Sequence, residues 1–176
     1  MLTVDRAVLL LIDLQQRLLP AIYDGETVVA RAVRLAEAAQ LLDVPVRATE
    51  QNPAGLGPTV APLAGYPQEV LSKTTFSAVD DPGFSSLLPD GAGEIVIAGC
   101  EAHVCVLQTA LGLMAAGRWV HVVQDAIGSR RPESKVAALE RLARRGAEIV
   151  TTEMVLFEWL ESAEHPRFRE VMALIK

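Results

Sequence analysis

Short apolar runs alternate with stretches of helical spacing along this chain, and that alternation restricts the folds open to it. Ala7 to Ile12 is continuously apolar between Arg6 and Asp13. Its length and branched residues suit a strand buried on both faces. Val44 to Thr49, Glu94 to Ala98, Val120 to Gln124 and the short Glu148 to Val150 read as further strands, with Pro45 confined to a strand edge. Between them lie helical stretches. Residues 26–42 place Val29, Val33, Ala36 and Gln40 about a turn apart, and His103 to Ala116 forms a second helix. Pro132 introduces Glu133 to Arg145, which Gly146 stops. A helix from Thr152 or Glu153 to Leu160 and another from Arg167 to Leu174 follow. Strand–helix alternation predicts a three-layer α/β/α fold, Rossmann-like, with a mostly parallel sheet and right-handed crossovers. Five strands are legible; a sixth has to come from the region near Lys73. At 176 residues the chain is read as one domain, residues 1–176.

Residues 50–92 break the pattern. Pro53, Gly55, Gly57, Pro58, Pro62, Gly65 and Pro67 leave room only for short helical turns. A long irregular segment in a compact domain is either a binding loop or lid or a padded surface loop. Composition excludes several function classes. The formal charge of −6 and the lack of a basic block argue against nucleic acid as a partner. No apolar run approaches the roughly 20 residues of a membrane span, and the opening Met-Leu-Thr-Val-Asp-Arg lacks the form of a secretory leader. Two cysteines five residues apart make no disulfide framework, so a reduced, cytoplasmic setting is expected.

The segment Gly99-Cys100-Glu101-Ala102-His103-Val104-Cys105-Val106 carries the sharpest chemical signal. It turns from a strand into a helix, and a cysteine near a helix N-terminus meets free amides that favour thiolate. Cys105 is therefore a candidate nucleophile, the alternative being a small buried hydrophobe; Cys100, at the strand end, reads as packing. Asp13 closes the first strand, where ligands of open α/β sheets bind; it is a candidate base, metal ligand or helix cap. Gln15 and Gln16 line the same crevice in this reading. Lys73 lies in a loop, and an ammonium there would relieve repulsion between thiolate and carboxylate. His103 and Phe76 are candidate substrate contacts. Asp125, Ser129 and Arg130 read as a turn-and-salt-bridge network holding adjoining loops. His103, His121 and His165 are scattered, with no HExxH or CxxC, so no metal is expected. No glycine-rich phosphate loop follows the first strand and no GxSxG occurs, which disfavours nucleotide cofactors and a serine hydrolase.

Beyond these single residues, the chain resembles the isochorismatase-like cysteine hydrolase superfamily over almost its whole length. The matching segments are Leu10-Leu11-Ile12-Asp13-Leu14-Gln15, Thr49 to Pro53 with Gly55 to Thr59, Lys73 to Ser77, and Gly99 to Val106. Asp125-Ala126 with Ser129-Arg130, Gly146 to Glu148 and Thr151 to Met154 continue the series. The resemblance implies a catalytic triad of Asp13, Lys73 and Cys105 and a cis peptide between Cys100 and Glu101. It also implies an oxyanion hole from the amides of Glu101 and Cys105. Nicotinamidases of the superfamily carry a histidine-containing metal element before the lysine, whereas residues 43–73 hold no histidine; neither a metal nor another cofactor is implied. Family members are commonly oligomeric, and Trp119, Phe157 and Trp159 are candidates for a subunit contact or for the core.

The function expected is hydrolysis of a small amide-like C–N substrate through a thioester on Cys105. Two alternatives stand beside it: hydrolysis of a vinyl ether or enol by Asp13 and Lys73, and a catalytically silent oligomeric scaffold. The partner in either enzyme reading is a small molecule.

Overall fold

The computed structural model describes residues 1–175. Six strands form one parallel sheet: β1 Ala7–Ile12, β2 Val46–Gln51, β3 Glu69–Lys73, β4 Glu94–Cys100, β5 Trp119–Gly128 and β6 Glu148–Val150. Seven α-helices connect or follow them: α1 Gly25–Leu41, α2 Pro53–Leu56, α3 Phe84–Leu87, α4 Leu107–Ala115, α5 Pro132–Arg144, α6 Thr152–Leu160 and α7 Phe168–Ala173. The strand order is β3-β2-β1-β4-β5-β6, so the chain winds outward one way from β1 and then the other way from β4. The gap between the carboxyl ends of β1 and β4 is the point where the winding reverses, the usual place for a ligand in such sheets.

The two central strands explain why the sheet forms here. All six residues of β1 and all seven of β4 are buried. Their side chains alternate between two cores: Leu9, Leu11, Val96, Ala98 and Cys100 pack against α1, α6 and α7. Val8, Leu10, Ile12, Ile95 and Ile97 pack against α3, α4 and α5. Each such Leu, Ile or Val contributes about 1.5–3 kcal/mol through burial. Cys100 and Cys105 fall into different cores, one on each face of the sheet, and both are free thiols. On α1 the buried residues are Val28, Ala32, Leu35, Ala36, Ala38 and Ala39, while Gln40 is exposed. The core-facing stripe is thus turned about one residue from the Val29–Val33–Ala36–Gln40 row, with Val29 and Val33 packed at its margin. Trp159 is 1% exposed and belongs to the core, whereas Trp119 and Phe157 are exposed at 62% and 43%.

Three further differences from the sequence reading bear on the site. Lys73 is the last residue of a strand, not a loop residue; β3 is an edge strand, half exposed and paired on one side only, so it carries no apolar run. β4 continues through Gly99 to Cys100. β5 runs on to Gly128 through a bulge, with Ile97 opposite Val122 but Gly99 opposite Ile127. The bulge reverses which face successive β5 residues address and re-aims the segment after it.

Among the glycines, Gly99 leaves the least room for a side chain. Its φ is +131°, and a Cβ there would sit on the carbonyl oxygen of Ile12. Gly99→Ala is therefore expected to destabilise the protein by more than about 4 kcal/mol in urea unfolding. Gly117 also has positive φ, +79°, but open space around it; Gly117→Ala should cost only about 1–2 kcal/mol.

Candidate active site

The carboxyl edge of the sheet sets three polar residues side by side. Lys73 ends β3 in register with Gln51 at the end of β2. Asp13 follows β1 and donates its amide to the Thr49 carbonyl at 3.1 Å, extending the ladder by one step. Its φ of +50° turns the chain sharply at that point, a conformation aspartate tolerates better than most residues. Thr49 and Gln51 occupy alternate positions of β2 and so lie on one face.

An ion pair fills this edge. Lys73 Nζ lies 2.8 Å from Asp13 Oδ2, and both side chains have no exposed surface. The second carboxylate oxygen of Asp13 accepts from Thr49 Oγ1 at 2.7 Å. The ammonium also donates to Gln51 Oε1 at 2.7 Å, with the carbonyls of Thr75 and Phe76 at 3.3 and 3.5 Å. Gln51 is itself held, donating Nε2 to the Thr74 carbonyl at 2.8 Å. A buried pair survives only when its remaining donors and acceptors are met in this way. Asp13 is thus neither a helix cap nor free.

Cys105 comes from the next layer. After the cis peptide between Cys100 and Glu101, the chain enters a π-helical turn, Ala102–Val106, that runs into α4. Such wide turns recur at functional sites. The Glu101 carbonyl accepts from the amides of Val104 and Val106 at 3.0 and 3.2 Å, and the amides of Glu101 and Cys105 enter none of the turn and cap hydrogen bonds. Cys105 is 6% exposed. Burial and then the Asp13 carboxylate push its thiol up to about 12, against the opposing pull of Lys73. The expectation of a thiolate from the helix terminus is therefore reversed. The Asp13–Lys73 pair is already neutral, and a third charge in that enclosure would be uncompensated. Cys100 is likewise pushed up to about 12, by burial first and then by Glu101.

The surrounding loops are strapped to this edge. Gln15 was expected in the pocket, but it is fully buried and spent on backbone. It donates to the carbonyls of Gln51 and Gly57 at 3.1 and 2.7 Å and accepts from the Gln51 amide at 2.8 Å. Glu50 adds the amide and hydroxyl of Thr59 at 2.7 and 2.8 Å, so the loop 53–59 is a pinned wall. Phe76 is 55% exposed beside Lys73. His103 Nδ1 pairs with Ser129 Oγ at 3.0 Å, and Arg130 holds the Glu101 carboxylate by its amide and Nε, both at 3.0 Å. Ser129 and Arg130 do tie adjoining loops. Asp125 does so elsewhere, accepting from the Thr152 amide at 2.8 Å and lying 3.6 Å from Arg31. Among the described residues, no group of three or more His, Cys, Asp and Glu side chains is set to hold a metal ion.

Thr49 and Gln51 are the site residues that the sequence reading did not assign. Their signal is the i, i+2 spacing of polar side chains at the carboxyl end of a strand next to Asp13.

Residues 7–154, from the first residue of β1 into α6, match the Isochorismatase domain. The chain belongs to the isochorismatase family. Isochorismatase domain-containing protein 2 of Danio rerio is 38% identical over 175 residues, covering 99% of this chain and 89% of that protein. Isochorismatase domain-containing protein 1 of the same species is 42% identical over 168 residues, 93% of this chain and 59% of the relative. Among solved structures, the MAR1 ribonuclease of Caenorhabditis elegans has a TM-score of 0.93 at 33% identity, covering 99% of this chain and 91% of that one. The YcaC gene product of Escherichia coli, an octameric hydrolase of unknown specificity, has a TM-score of 0.85 at 25% identity, covering 98% and 94%. The isochorismatase fold of this chain, a parallel sheet between helices, is that of these proteins.

Removing one member of the ion pair leaves the other buried and unmatched. Lys73→Met is expected to cost about 3–5 kcal/mol in chemical unfolding. Adding Asp13→Asn to it should cost less than the sum of the single changes, with a coupling of about 0.5–3 kcal/mol in the double-mutant cycle.

Proposed function

We propose that the chain is a cysteine hydrolase acting on a small amide-like C–N bond, with Cys105 as nucleophile, Asp13 as base and Lys73 as charge partner. The observation that carries this reading is the solvent-excluded Asp13–Lys73 pair at 2.8 Å, whose charges both act on the neighbouring Cys105 thiol. At rest the thiol keeps its proton. As sulfur attacks the carbonyl carbon, the proton passes to Asp13, so no free thiolate accumulates beside the carboxylate. The oxyanion that forms is held by the amides of Glu101 and Cys105, each such donor being worth about 3–4 kcal/mol in comparable acyl transfer. Asp13 then returns the proton to the leaving amine, leaving a thioester. Water adds to the thioester, releases the acid and restores the thiol. Lys73 keeps the two acidic groups of the site compatible, and Gln51 holds the ammonium. His103 and Phe76 line the substrate side; Gln15 supports the wall from behind.

A second reading is favoured by one observation: Asp13 and Lys73 are fully paired without the thiol, which burial keeps protonated. A carboxylate and an ammonium so held suit proton donation by Lys73 and activation of water by Asp13 for attack on a vinyl ether or enol, with Cys105 only lining the pocket. The ribonuclease activity in the name of the C. elegans neighbour is not part of either reading, since a polyanion would meet a chain of charge −6. A homo-oligomer in the cytoplasm completes the proposal: the E. coli neighbour is octameric, and Trp119 and Phe157 stand exposed.

A panel of small primary amides, assayed by ammonia release, tests the first reading. Cys105→Ala and Asp13→Asn are expected to lower turnover by about 10³-fold or more, and an acyl group should be found on Cys105 by intact mass. Full turnover in Cys105→Ala would reject it; turnover retained on vinyl ethers alone would select the second.

A further inference from the structure

A cleft of about 510 Å³ opens between α1 and α5 over the bulge of β5, apart from the Asp13–Lys73 edge. That volume is within the range of small-molecule sites, about 300–1,000 Å³. Four charged side chains line it. Arg31 and Asp125 face one another at 3.6 Å and offset each other's charge. Asp24 and Lys135 enter no ion pair among the described residues. Asp24 stands just before α1 with φ +52° and makes no capping hydrogen bond. Lys135 stands across the cleft in the first turn of α5 and is half-buried. Burial lowers its pKa, opposed by Asp125 most strongly and by Asp24 more weakly. An ammonium and a carboxylate that feel one another across the cleft without closing a direct ion pair are complementary to a molecule that carries both charges. A dianion would gain Lys135 but meet Asp24 and Asp125; a simple amine would do the reverse. The walls between are apolar, with Tyr23 and Val136 exposed at 65% and 54%.

The floor of the cleft connects to the candidate active site. Ser129, 2% exposed, lines the cleft and bonds His103 on the turn that carries Cys105. The next residue, Arg130, grips Glu101. We propose that this cleft is a second ligand site, taking a small zwitterion of the amino-acid class between Asp24 and Lys135 and acting on the Cys105 turn through Ser129. Binding at the cleft does not depend on Cys105 being catalytic.

Isothermal calorimetry at low salt, with L-leucine, L-valine and L-glutamine against succinate and butylamine, tests it. The amino acids are expected to bind at least about tenfold more tightly than either control, and Lys135→Met or Asp24→Asn should each weaken them by about tenfold. Lys135→Arg should retain binding, and Cys105→Ala should leave it unchanged, which separates this site from the proposed catalytic one. Saturating leucine should change the rate of Cys105 alkylation by iodoacetamide about threefold in the wild type and not in Ser129→Ala. No heat with any amino acid, or undiminished binding in both charge variants, would overturn the site. Binding with an unchanged alkylation rate in the wild type would overturn its link to Cys105.

Discussion

A lysine ammonium and an aspartate carboxylate, 2.8 Å apart with no exposed surface, organise everything around the carboxyl edge of this sheet. Neither charge is tolerable there alone, and the local structure follows from that. Thr49 and Gln51 are placed by the alternation of β2 to complete the coordination of the pair, at 2.7 Å each. The Gln51–Lys73 register brings the edge strand to the site, and without that pairing Lys73 would be a surface residue of a broken loop. Gly99 allows β4 to come close enough to Ile12 that the turn after β4 reaches the same edge. The neighbouring sulfur is held neutral first by burial and then by Asp13, while Lys73 favours its ionisation.

Around this centre the fold uses backbone straps rather than apolar packing. Gln15 makes three bonds to main-chain groups and Glu50 two to Thr59, which fixes the loop after β2 as a wall. On the other side, the β5 bulge sends Asp125 toward the N-terminus of α6 and returns Ser129 and Arg130 toward the turn of Cys105. Helix termini, loops and the turn of Cys105 are thereby tied to one sheet edge in a rigid arrangement. The sheet separates the two cysteines: Cys100 fills one core, and Cys105 lies in the other at the winding reversal.

Much of the fold was legible because burial leaves a plain trace. The run from Ala7 to Ile12 coincides with β1, since a strand covered on both faces needs no polar positions. Pro132 and Gly146 bracket α5 for stereochemical reasons that hold in any context. Asp13, Lys73 and Cys105 stood out as residue types and through their resemblance to a family; their proximity rests on strand order, which no spacing encodes. What was not legible depended on pairing. β3 has no apolar signature because it is an edge; the β5 bulge is a property of its register with β4; and Gln15 looks like a pocket residue until its backbone partners are known. The ionisation of Cys105 was misread because the depth of its burial, the largest influence on the thiol, is set by tertiary packing, and burial together with Asp13 outweighs the pull of Lys73.

Membership of the isochorismatase family accounts for the fold and leaves the chemistry to the site. The resting site holds an ion pair beside a thiol that burial and Asp13 keep neutral. Thiolate absorbance near 240 nm, followed with pH in the wild type and in Cys105→Ala, measures this directly. No Cys105-dependent step is expected below about pH 10 in the wild type, and a step at lower pH is expected once Asp13→Asn removes the opposing charge. A Cys105-dependent step below about pH 8.5 in the wild type would contradict it.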